Sequence, residues 1–349
     1  MRKTNIFLLV AFILTAVFLT GILVVGIQSD GFSVFSPPAA GANGTAQSRP
    51  EKESENTPAR SETGGNGHNR GNAYEYSYSA EKVDGLRIDW VSGEVDVEVK
   101  SGISEIKITE YGSRSLAENE VLDLSVDDGL LRINWNSDLI TLDFMNGYSK
   151  NLKVELPEEF ANGMTEFKVD TSSAEIDAAG ITAGKISVNT ASGKVELEDI
   201  TGDEADINTA SGPVQLERVS CERLAVNTVS GKIEGKEHQA EVLVVKSTSG
   251  SIEFDGSYQE IEASTISGKI EIDDDICPGD AEFSSVSGSV TLSIPESKGF
   301  EVSYESLSGN FRSEFGSGSG KSGRMVYGDG SASFRFSTTS GDMSIERDD

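Results

Sequence analysis

Cysteine and histidine are nearly missing from this chain: 349 residues hold Cys221, Cys277, His68 and His238 and no others. Two cysteines exclude a disulfide scaffold, and two histidines are too few for most metal or acid–base designs. No His-Glu-x-x-His, Gly-x-Ser-x-Gly or Cys-x-x-Cys occurs, so the short signatures of zinc hydrolases, serine hydrolases and dithiol redox proteins are absent. Aromatic residues are few, and the two tryptophans, Trp90 and Trp135, are thin provision for stacking sugars. Basic side chains are outnumbered, 29 against 58 acidic, for a net charge of −29. That balance argues against nucleic acid, which rewards clustered Lys and Arg, and favours cationic partners, metal ions or plain solubility.

One long hydrophobic run is present. After Arg2 and Lys3, the residues from Ile6 to Ile27 are uncharged and almost wholly apolar. About 20 such residues, wound as a helix, cross a bilayer core. Basic residues before the run and none just after it place the N-terminus inside and the rest outside. A cleaved signal peptide is the rival reading, but its apolar region usually spans only about 7–15 residues. The nearest small-residue cleavage candidate, Ala40-Gly41-Ala42, lies well beyond the run. The expected organisation is a basic cytoplasmic tail at 1–5, a single-pass cell-membrane anchor at 6–27 that contacts the lipid bilayer, and a repeat domain outside. Residues 28–80 are rich in Gly, Ser, Asn, Pro and Glu with no apolar period. Such a stretch buries too little surface to offset chain entropy and reads as a disordered tether; His68 falls in it.

The rest of the chain repeats. A Ser-Gly pair recurs with its glycine at Gly193, Gly212, Gly231, Gly250, Gly268, Gly288, Gly309 and Gly341, in steps of 19, 19, 19, 18, 20, 21 and 32 residues. A degenerate copy puts Ala174 in the glycine place, and a distant first copy stands at Gly93. Periods near 20 residues mark stacked architectures. Apolar residues keep the same beat seven and five residues before the glycine and two and four after it, as in Ile186, Val188, Val195 and Leu197. Their spacing of two is the strand period. Each unit therefore reads as strand, Ser-Gly corner, strand and loop, with glycine expected to supply a positive φ at the corner. Thr or Ser recurs three residues before the glycine, as in Thr190, Thr209 and Thr228. Like residues at one phase suggest stacking, about 4.8 Å per coil, with hydroxyls bonding along the column. The fold expected is all-β: a parallel β-solenoid-like stack of ~19-residue two-strand repeats, regular over 167–349 and preceded by an irregular β region or cap at 81–166. An antiparallel β-sandwich is the alternative. On the parallel reading Cys221 and Cys277 lie about 14 Å apart along the stack, beyond the ~7 Å that a disulfide tolerates. Both are expected free and buried, and His238 is expected in a loop.

The succession "VNTASGKVELEDI", "VNTVSGKIEG", "STISGKIEI" and "SVSGSVTLSIP", closing on "GDGSASFRFSTTSGDMSI", resembles the candidate-adhesin family of bacterial β-strand-repeat cell-envelope proteins, a domain of unknown function. The upstream "KVELPEEF" resembles that family's strand-then-proline step, and the likeness spans roughly 83–349. A membrane anchor joined to this domain is similar to accessory proteins of envelope-stress signalling. The resemblance implies the fold and brings no catalytic residues with it.

Acidic residues form the one suggestive pattern. Asp96, Asp177, Glu196, Glu234, Glu253 and Glu271 stand three after the corner, and Glu98, Glu198, Glu217, Asp255 and Asp273 five after it. Alternating with inward residues, they are expected to face outward as a solvated face that discourages aggregation. Calcium accepts clustered carboxylates, and the weak metal candidates are Asp273, Asp274, Asp275, Glu253 and Glu271, although their spacing matches no defined calcium loop. No organic cofactor is implied. Phe315 stands where a phosphate loop ending in Gly320-Lys321-Ser322 requires glycine, so that stretch reads as a glycine-rich loop. Two functions remain: a non-enzymatic membrane-anchored protein presenting an acidic surface to a cell-wall component or an envelope-stress protein, for adhesion, scaffolding or sensing; or a β-helix carbohydrate-active enzyme acting on cell-wall or extracellular polysaccharide. Short loops between repeats favour the first.

Overall fold

The structure is a computed structural model that describes residues 60–61, 73–116, 120–135 and 149–348. The apolar run at 6–27, most of the tether and His68 lie outside these residues. Among the described residues no helix is long and apolar enough to cross a membrane.

The repeats wind into a parallel β-solenoid. One arm of each coil runs up to the Ser-Gly corner and the other leaves it, and each arm pairs in register with its copy one repeat on. Val195–Thr209 lies against Val214–Thr228 with Val195 opposite Val214 and Thr209 opposite Thr228. The next coil, Ile233–Ser247, continues the same register. The 18-residue step is taken in where the pairing with Ile252–Thr265 shifts between Gly235 and His238. This parallel register excludes the antiparallel sandwich. The four expected inward positions are buried in each regular coil; Ile186, Val188 and Val195 are 0% exposed. Burying one such aliphatic side chain contributes about 1.5–3 kcal/mol, and only the neighbouring coil can bury it. A fifth inward position, seven after the corner, is filled by Ile181, Ile200 and Val219. It follows a second bend on a left-handed residue: Gly180 (φ 75°), Asp199 (54°), Arg218 (53°) and Glu237 (56°).

The first Ser-Gly corner has the expected positive φ, at Gly93 (φ 102°), but the eight that follow turn for a different reason. The eight corner glycines are not among the left-handed residues. Each instead sits on the backbone carbonyl oxygen of the adjoining corner, as Gly212 sits on that of Gly193, so tightly that a Cβ would lie well inside 3.0 Å. The constraint is closeness of backbones, not sign of φ. The hydroxyl three residues earlier turns inward and accepts the corner N–H, from Gly212 to Thr209 at 2.9 Å, Gly231 to Thr228 at 2.9 Å and Gly250 to Ser247 at 2.8 Å. A hydroxyl–hydroxyl bond along the column is formed between Thr171 and Thr190, at 2.9 Å; elsewhere the local bond takes precedence. The corner serine ties coils together: Ser211 Oγ donates to Ala191 O at 3.3 Å and Ser249 Oγ to Val229 O at 3.2 Å.

At both ends the spatial order departs from chain order. The C-terminal arms Ala332–Thr338 and Met343–Arg347 pair directly with Asp280–Ser285 and Val290–Ile294 of the Gly288 coil. The arms Gly299–Ser306 and Phe311–Ser313, although earlier in the chain, lie outside them. The last coil is thus inserted between the two before it. The 32-residue step is the excursion this requires: a hairpin in which Ser322–Gly328 runs antiparallel to Gly299–Ser306 before the chain returns inward. The N-terminal end does the same. Leu130–Asn134 and Lys150–Pro157 stack outside Gly85–Trp90 and Glu94–Lys100, which then receive Met164–Thr171 and Glu175–Ala179 on their other side. Antiparallel strands close this end too, Asp123–Asp127 on one arm and Glu105–Gly112 with Ala73–Ser79 on the other.

Candidate functional site

Strand alternation sends every second residue of the arm after the corner outward, and parallel register lines these residues up. Asp96, Asp177, Glu196, Gln215, Glu234, Glu253 and Glu271 form one continuous column. Like charges on neighbouring strands repel, and the chain answers with lysine one residue after the corner. Lys232 Nζ reaches Glu234 at 2.6 Å and Glu253 at 2.9 Å, Lys194 pairs with Glu196, and Lys269 with Glu271. Lys153 joins Asp96 at 3.0 Å and Glu98 at 2.5 Å. Arg218 plays the same part at the second bend, donating to Asp199 at 2.6 Å and pairing with Glu198 and Glu217. The column is therefore a run of carboxylates, interrupted by Gln215 and flanked by lysines that offset part of its charge.

Compensation thins toward Asp255 and Asp273, which are adjacent in register. Partial burial raises both carboxyls, and repulsion from Asp275 and Asp348 adds to it. Of the five candidate metal ligands, Glu253 and Glu271 belong to the paired ladder. Asp273 and Asp275 point outward, Asp275 accepting from Ser257 Oγ at 3.2 Å. Asp274 points the other way and is 0% exposed. The pleat separates the Asp-Asp-Asp run, and among the described residues no three His, Cys, Asp or Glu side chains converge as a metal centre.

Asp274 Oδ1 accepts the backbone N–H groups of Tyr258 at 3.1 Å and Ile276 at 3.2 Å, while burial pushes its carboxyl up to about 7. In the same column, across Gly256, stands His238. The expected loop histidine is instead 3% exposed and occupies the fifth inward position, where preceding coils carry Ile or Val. Val219 N–H donates to its Nδ1 at 3.0 Å, and burial holds the imidazole down to about 4. The aliphatic column was the available signal: His238 stands seven after Gly231, as Val219 does after Gly212. The cysteines are free and half-buried, and burial pushes Cys221 up to about 12, far from a reactive thiolate.

The tryptophans are also absorbed into structure. Trp90 is fully buried, meets Trp135 edge-on at 5.1 Å, and donates from Nε1 to Lys150 O at 2.8 Å. Lys150 Nζ sits 4.9 Å and 4.3 Å from the two ring centroids and bonds Glu110 at 2.6 Å and Glu120 O at 2.8 Å. Trp90 thus walls a buried ammonium and offers no sugar-stacking platform.

These features define a capped parallel β-solenoid with charged outer ladders and a filled interior. The chain belongs to the Toastrack DUF4097 family, which matches residues 85–346. Similar solved structures include a candidate adhesin from Parabacteroides distasonis ATCC 8503, 11% identical with a TM-score of 0.48 over 78% of this chain and 97% of that one. A candidate adhesin from Parabacteroides merdae ATCC 43184 is 13% identical, TM-score 0.47, over 79% and 96%. A candidate lipid-binding protein from the first organism is 17% identical, TM-score 0.44, over 79% and 98%. No curated protein matches the sequence.

Proposed function

We propose that this chain is a non-enzymatic, membrane-anchored protein whose repeat domain stands outside the cell membrane and presents an acidic ladder to an envelope component. The observation that carries the reading is the in-register outward column from Asp96 to Glu271. Apart from Gln215 it repeats a carboxylate every ~4.8 Å along the rod, which suits an extended polymer or protein surface better than a small molecule. Long-range attraction by such a face weakens with salt. Calcium is the metal its less compensated part, around Asp255 and Asp273, would take, weakly and through oxygen ligands.

The test is co-sedimentation of the full chain, in detergent micelles, with isolated cell-wall polymers. Retention at low salt that is lost at about 0.5 M salt, without release of reducing sugar, is the expected result. Release of reducing sugar would instead favour the polysaccharide-cleaving enzyme. A rise in melting temperature at millimolar calcium is expected if the carboxylates bind the ion, and no rise would remove calcium from the proposal.

A further inference from the structure

The C-terminal tip of the rod ends in an unfinished sheet. Among the described residues, Ser322–Gly328 pairs with Gly299–Ser306 on one side and with no strand on the other. Edge strands of this kind present unpaired N–H and C=O groups to any chain able to add a strand. Two of the three large apolar residues exposed among the described residues lie here, Val326 at 59% and Leu307 at 73%. On the inner side of the same strand Met325 and Tyr327 pack on the core yet stay partly uncovered.

We propose that this edge is the interface of an isologous dimer, in which Ser322–Gly328 of two copies pair antiparallel about a dyad at Met325. The charge pattern selects the partner. The strand carries one charged side chain, Arg324, 67% exposed and paired within the chain to Glu301, which stands opposite Val326 on the adjoining strand. A dyad at Arg324 would oppose two guanidinium groups. A dyad at Met325 sets Arg324 opposite the partner's Val326, with the partner's Glu301 one strand further, about 9–10 Å of backbone away. That distance is within the combined reach of the two side chains, and the dyad repeats the contact. The apolar stem of Arg324 covers Val326, and Met325 meets its own copy where each interior lies open. A two-fold contact uses one patch twice and closes, so it yields a dimer and no fibre. The inference is independent of the envelope component the ladder binds.

The experiment is sedimentation equilibrium of the full chain in density-matched detergent. The native chain is expected as a dimer. Arg324→Glu and Glu301→Arg should each weaken the dimer more than tenfold, and Val326→Lys should do the same. A one-to-one mixture of the Arg324→Glu and Glu301→Arg chains should recover native affinity, because each arginine then faces a carboxylate across the dyad; a role confined to one chain would not be rescued by mixing. A monomeric native chain, a mixture that fails to recover, species that grow with concentration beyond the dimer, or a dimer indifferent to all three substitutions would each overturn the proposal.

Discussion

At the scale of single residues, the repeat is a device for bringing backbones together. Gly231 rests on the carbonyl of Gly212 and lends its N–H to Thr228. Gly231→Ala forces the two coils apart and is expected to cost about 1–3 kcal/mol or more. Thr228→Val leaves a buried N–H without its acceptor, for about 1–3 kcal/mol. Gly279→Ala, where a Cβ would meet its nearest neighbour at an ordinary 3.6 Å, is expected to stay within about 0.5 kcal/mol. Urea midpoints check all three. The Ser-Gly repeat was legible in the sequence, but its reason was not: a glycine needed for closeness and one needed for positive φ look alike until the neighbouring coil is placed. Asp274 and His238 were misplaced for a related reason, since polar identity spoke for the surface while phase pointed inward. Their effects on stability oppose one another. The unfolded chain ionises Asp274 near 3.8, whereas the folded one keeps the proton until about 7, so stability falls as pH rises through that window. The unfolded chain protonates His238 near 6.5, whereas the folded one resists until about 4, so stability falls as pH drops through that window. Asp274→Asn should therefore gain on the native chain as pH rises from about 4 to 7. His238→Gln should gain on it as pH falls from about 6.5 to 4. Urea midpoints across pH 4.5 to 8 read both differences, and parallel curves would contradict the assignment.

At the scale of elements, the coil is the exchangeable unit. Removal of residues 213–231, one whole 19-residue repeat, joins Gly212 to Lys232 in the same phase and should leave a folded, shorter rod. Removal of nine or ten residues should abolish cooperative melting, because every inward side chain downstream changes column. Circular dichroism during heating separates the two outcomes. The caps obey other rules. Lys150 and Glu110 are each 0% exposed and bonded at 2.6 Å, so Glu110→Gln takes the bonded counter-charge from a buried ammonium and should cost about 3–5 kcal/mol. The parallel coils could be read from the 19-residue beat, whereas the caps could not. Glu105–Gly112 and Asp123–Asp127 have strand composition but no corner to phase them, and their partners are chosen by what the end of the stack leaves open.

At the scale of the whole molecule, the ends decide what kind of object this is. A regular solenoid offers a naked edge at each end, and at both ends this chain departs from chain order: at the C-terminal end a later coil lies inside an earlier one, and at the N-terminal end an earlier coil lies inside a later one. The order of the final coils was hidden because Gly309 and Gly341 carry the same corner; only the long step between them hinted that the chain detours. Insertion locks the C-terminal coil between two neighbours, so the rod cannot fray from its last residue as chain-order stacking would allow. Glu282 is paired with Arg335 and Arg335 with Ser303, which leaves Glu282 and Ser303 two strands apart. Disulfide trapping reads this arrangement directly, since the bond needs Cα atoms within about 7 Å. With cysteines placed at 282 and 335, mild oxidation should close an intrachain disulfide, while the pair at 282 and 303 should stay open. Rapid closure of 282 with 303 and none of 282 with 335 would show coils stacked in the order of the chain, and the inserted architecture described above would be wrong.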